Sequence, residues 1–108
     1  MRDILYQLKL QYYKLRKFGS HYQQGYNTTV NLSRVIITKH SAGSINIGNY
    51  VMCGGELYSF LDKGNISIGD YSYIGLDSRI WALSSINIGN RVLISHNVMI
   101  MDNRTHPF

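Results

Sequence analysis

The stretch Ile68-Gly69-Asp70-Tyr71-Ser72-Tyr73-Ile74-Gly75-Leu76-Asp77-Ser78-Arg79-Ile80-Trp81 decides the fold. Isoleucine recurs every six positions, at 68, 74 and 80, and the first two are each followed by Gly. Ile88, Ile94 and Ile100 repeat that spacing 20 residues on, and Ile47-Gly48 precedes it by 21. Small or β-branched residues stand four places after most of these: Val51, Ser72, Ser78, Ser84, Val92 and Val98. A helical period of 3.6 does not generate six-residue spacing, and an alternating strand would not place Gly so regularly.

Three such units, each a short strand and a tight corner, close one triangular layer; the residues left over make a small loop. Stacking sets Ile68 over Ile47 and Ile88 over Ile68, building a continuous inner column. One layer cannot bury its own apolar face, so the architecture works only as a stack. Gly after the aliphatic, with Asn49, Asp70 and Asn90 beside it, suits corners that need permissive backbone angles. The first triplet is degraded, with Cys53 and Ser59 at its inward positions. Residues 45–108 are therefore expected to form an all-β solenoid of hexapeptide repeats.

Upstream, residues 1–18 read as an amphipathic α-helix with Ile4, Leu5, Leu8, Tyr12, Leu15 and Phe18 on one face. Gly19 supplies the stop. A second stripe, Tyr6, Leu10 and Tyr13, is either surface tyrosine or a docking face toward a subunit or a membrane. Residues 19–44 read as an irregular lead-in and first partial coil, with β-favouring pieces at 28–32 and 34–38.

Composition bounds the function. One Cys and no CxxC exclude a disulfide framework and a zinc-finger pattern. No apolar run approaches the roughly 20 residues of a membrane span, and the N-terminus lacks the apolar centre of a secretory signal. A cytoplasmic domain is expected. The net charge of +5 is uneven. Residues 2–17 hold Arg2, Lys9, Lys14, Arg16 and Lys17 against Asp3 alone, while elsewhere acids and bases nearly balance. The basic character belongs to one segment and not to a nucleic-acid-binding face, so no nucleic-acid partner is expected.

The segment from Ile88 to Pro107, with Thr105-His106-Pro107 after two hexads, resembles the hexapeptide-repeat acyltransferases, specifically the sugar and polysaccharide O-acetyltransferases. The resemblance implies a left-handed parallel β-helix, an exception to the usual right-handed crossover. It implies His106 as the general base that deprotonates a sugar hydroxyl attacking acetyl-CoA. Asp102 would orient the imidazole. Acceptor contacts fall to Trp81, at an outward position, and to His96 and Asn103. The resemblance also implies a homotrimer with sites between neighbouring coils, and CoA-binding residues beyond Phe108, so that the chain reads as the N-terminal part of a longer enzyme. The basic residues 2–18 suit peripheral work at the inner face of a membrane, on a polysaccharide precursor. No metal is expected: zinc enzymes of this fold need histidines close together, and His96 and His106 are ten apart. Cys53 reads as core. A reading from a different class is a non-catalytic β-helix module that trimerises or docks.

Overall fold

Short β-favouring segments separated by corners cannot pair with their neighbours in sequence, so each pairs with its equivalent one turn away. The computed structural model describes residues 5, 9, 18–37, 42–60 and 63–102, and shows about four turns of parallel β-solenoid. The first turn holds β1 (Tyr22–Gln24), β2 (Thr29–Val30) and β3 (Val35–Ile37). The second holds β4 (Ser44–Ile47), β5 (Met52–Cys53) and β6 (Glu56–Ser59). The third holds β7 (Asn65–Ile68), β8 (Tyr73–Ile74) and β9 (Arg79–Ala82). The fourth holds β10 (Ser85–Ile88), β11 (Leu93–Ile94) and β12 (Met99–Met101). Three four-stranded sheets result: sheet A from β1, β4, β7 and β10, sheet B from β2, β5, β8 and β11, and sheet C from β3, β6, β9 and β12.

The register builds the core. Ile47, Ile68 and Ile88 stack as the spacing predicts, beside Ile45, Ile66 and Ile86. Cys53, Ile74 and Ile94 form the column of sheet B, and Val35, Leu57, Ile80 and Ile100 that of sheet C. The second turn departs from the hexad reading. Leu57, not Ser59, is the partner of Ile80, and Ser59 pairs with Ala82. The cause is the Gly54-Gly55 corner. It reaches from Cys53 to Leu57, two residues less than the corner from Ile74 to Ile80, and a Cβ on Gly55 would collide with the Ser78 carbonyl.

The corners correct a second expectation. Left-handed backbone falls on Asn27, Tyr50, Tyr71, Asp77, Arg91 and Asn97, not on the glycines that follow the isoleucines. Three of those glycines, Gly48, Gly69 and Gly75, are needed for space. A Cβ on Gly75 would lie 2.5 Å from the carbonyl carbon of Ser95 and 2.6 Å from the nitrogen of His96. The neighbouring Asn and Asp bond between turns instead of relaxing the backbone. Tyr26 N–H donates to Asn49 Oδ1, Asn49 N–H to Asp70 Oδ1 and Asp70 N–H to Asn90 Oδ1, each at 2.8 Å. Left-handed tyrosines cost about 1–2 kcal/mol apiece. The rings offset part of it by stacking: Tyr50 and Tyr71 are parallel at 5.0 Å, and the Arg91 guanidinium lies 5.4 Å over Tyr71.

Where the small residue of a hexad is a buried serine, it is a second bridge. Buried Ser78 donates to the Ser95 carbonyl at 2.6 Å and accepts from Val98 N–H at 3.1 Å; Ser72 does the same with Gly89 and Val92. Removing the Ser78 hydroxyl orphans a donor and an acceptor together. Ser78→Ala should therefore cost about 2 kcal/mol in urea unfolding.

The first turn lies within residues 19–44, where the sequence reads as an irregular lead-in and first partial coil. Tyr22, Val30 and Val35 pair with Ile45, Cys53 and Leu57. Phe18, buried, covers Tyr22 at a ring distance of 5.3 Å. Burial, with a smaller contribution from nearby Cys53, pushes the Tyr22 phenol well above its usual range, and its hydroxyl donates to Gln24 Oε1 at 2.8 Å. The predicted helix lies outside the described residues except at Leu5, Lys9 and Phe18. Leu5, expected on the inward face, is exposed, and the place beneath Tyr22 is taken by Phe18. Among the described residues no helix is long and apolar enough to cross a membrane.

Candidate functional site

Strand alternation sends every second side chain outward, and the register stacks these into columns of distinct chemistry. Sheet A presents Gln23, Asn46, Ser67 and Asn87, all polar. Sheet B presents Thr29, Met52, Tyr73 and Leu93. Sheet C presents Ile36, Tyr58, Trp81 and Met101, beside a second column of Glu56, Arg79 and Met99.

Trp81 is half-buried on this third face. Its ring lies 6.0 Å from Tyr58 at 63° and 5.6 Å from Phe60 at 50°. Tyr58 and Phe60 stack at 4.2 Å, 16° from parallel. The indole N–H donates to Glu56 Oε1 at 2.8 Å, which fixes the plane of the ring. Trp81 pairs with Met101, so it stands beside the residue that precedes Asp102.

Asp102 clamps the corner between β9 and β10. Its Oδ1 accepts from Leu83 N–H at 2.6 Å, and its Oδ2 accepts from Ser84 and Ser85 N–H at 2.9 and 2.7 Å. Burial pushes its pKa up, but these backbone donors outweigh that and hold the carboxyl below its usual range. A folded-state value below the unfolded one stabilises the protein at neutral pH, and the contribution is lost as pH falls through the folded value. Asp102→Asn should thus cost about 1 kcal/mol at neutral pH, after allowing for solvent screening, and progressively less as pH falls below the ordinary carboxylate range. Urea unfolding across that pH range checks it.

His96 lies apart from this group. It is exposed after β11, with Nδ1 3.4 Å from Ser95 Oγ, at the edge of an apolar depression of about 320 Å³ lined by Tyr73, Leu76 and Leu93. Asn103 and His106 lie outside the described residues, as do their expected roles. Cys53 is buried; burial pushes its thiol up, against smaller lowering influences from Gly55 and Arg34. Among the described residues no group of three or more His, Cys, Asp or Glu side chains is arranged to hold a metal.

Sequence reading singled out Trp81 but missed Phe60 and Glu56. Phe60 had only a coincidental signal: it precedes Trp81 by the 21 residues that separate Ile47 from Ile68, but the contraction at Gly54-Gly55 makes Tyr58 the residue paired with Trp81. Glu56 had none: it reaches Trp81 on a diagonal that no single offset predicts. No protein-family model, curated protein or solved structure matches the chain.

Proposed function

We propose that the protein is an acetyl-CoA-dependent O-acetyltransferase acting on a sugar hydroxyl, built on a left-handed coil of hexapeptide repeats. The observation that carries this reading is the unbroken register of the last two turns, Ile68, Ile74 and Ile80 under Ile88, Ile94 and Ile100, running into Thr105-His106-Pro107. In this reading His106 accepts the hydroxyl proton as the oxygen attacks the acetyl carbonyl. The C–O bond forms, the C–S bond breaks, and the proton passes to the departing CoA thiolate. A backbone N–H stabilises the intermediate oxyanion. Trimers with sites between neighbouring coils complete the groove, and the basic N-terminal segment holds the enzyme against an anionic inner membrane surface, where polysaccharide precursors are assembled.

The test is acetyl transfer by the protein purified from its own source, read as release of the CoA thiol. Sugar-dependent release supports the reading, and sugar-independent or absent release defeats it. A second reading, a non-catalytic trimerisation or docking module, is favoured by the apolar column of sheet B. There Leu93 is 78% exposed and Met52 55%, and Leu76 in the corner after β8 is 67% exposed. Trimerisation without thiol release would establish it.

A further inference from the structure

We propose that the outward face of sheet C is a pyranose-binding platform: Trp81, Tyr58 and Phe60 receive the C–H face of a sugar ring, and Glu56 and Arg79 hold its hydroxyls. A pyranose has an apolar C–H face and a rim of hydroxyls that both donate and accept. The site offers matching groups. The Tyr58–Phe60 stack meets the indole at 50° to 63°, making two walls of aromatic surface. Beside them a carboxylate that accepts and a guanidinium that donates occupy facing register positions, Glu56 and Arg79.

These two charges are not consumed by each other. The ion pair among the described residues is Arg34–Asp77, at 3.0 Å. Glu56 uses one oxygen to fix the indole, and its other oxygen has no partner among the described residues. An interface with a second copy fits this face less well, because glutamate is depleted in the cores of protein interfaces. The uncharged and more exposed column of sheet B suits such a contact better. The platform also stands one strand below Met101, which precedes His106 by five residues in the sequence. The proposal rests on the acetyl-transfer reading for what is done to the sugar, but not for the binding itself.

Trp81 is the only tryptophan, so its emission reports on this face alone. The whole chain is titrated with methyl glucoside, methyl galactoside and methyl N-acetylglucosaminide, with sorbitol as an open-chain control. The expected result is a saturable emission change for at least one pyranoside, with a Kd of about 1 mM, and none for sorbitol. Phe60→Ala and Glu56→Gln should each weaken that binding about fivefold or more with unchanged circular dichroism. Sorbitol matching the pyranosides, or no saturable change with any of them, overturns the proposal. So does an emission change produced by dilution alone, which would give the face to a second copy. Binding without acetyl transfer defeats the acetyltransferase reading and leaves the platform standing. Acetyl transfer whose KM for sugar is unmoved by Phe60→Ala defeats the platform and leaves the reaction.

Discussion

Gly75→Ala should destabilise the protein by about 3 kcal/mol or more, enough to remove much of the stability of a domain this small. The added methyl would meet the carbonyl carbon of Ser95 at 2.5 Å and the nitrogen of His96 at 2.6 Å. Both are backbone atoms of the next turn, and neither can rotate away as a side chain would. Relief requires the turns to part where Tyr73 and Ile74 pair with Leu93 and Ile94. Gly89→Ala is the control. There the nearest atom is the Val92 Cγ2 at 4.0 Å, and the backbone is not left-handed. Alanine reduces the freedom of the unfolded chain, so this variant should gain about 0.5 kcal/mol. Chemical unfolding of both reads the contrast. Equal midpoints for Gly75→Ala and the wild type would show that the turns are not packed as tightly as described.

On the proposed acetyl-transfer reading, His106→Ala should lower sugar-dependent acetyl transfer by about 10²–10⁴-fold while leaving the unfolding midpoint where it is. A sugar hydroxyl holds its proton firmly, and without a base the attack on the thioester must wait for water to take it. Asp102→Asn separates two roles for its neighbour. Sequence reading made Asp102 an orienting partner of His106, yet its carboxylate already accepts three backbone N–H groups at the β9–β10 corner. If those bonds are its main task, the variant loses stability and keeps transfer within about tenfold of the wild type. Transfer undiminished in His106→Ala would remove the histidine from the chemistry. That outcome would turn attention to the exposed His96 on the other face.

The last two turns were legible because every strand there carries an inward isoleucine and every equivalent residue is 20 positions away. The first turn was legible only as a partial coil with β-favouring pieces at 28–32 and 34–38, for two reasons. Its inward residues are Tyr22, Val30 and Val35, and the offsets to the second turn are 23 in sheets A and B but 22 in sheet C. A periodic search tuned to isoleucine and a constant step does not give its register. The glycines were found but misread, because a sequence shows that a side chain is missing and not whether torsion or a neighbouring backbone forbids it. Of the site, Trp81 was legible as an outward residue beside Ile80. The hydrogen bond from its indole to Glu56 was not, because it spans turns whose offset changes with the two-residue contraction at Gly54-Gly55.

The Asn and Asp ladder carries a consequence for synthesis. The acceptor for the Tyr26 amide is Asn49, that for Asn49 is Asp70, and that for Asp70 is Asn90, always a residue later in the chain. A ribosome delivers the N-terminal residue first, so each corner leaves the exit tunnel before the side chain that will latch it. Every turn must therefore wait, with one corner amide open to water, until about 20 further residues have emerged. Folding on the ribosome then advances one turn behind the chain. A pause in translation between two turns would expose the upper edge of the last one that had closed.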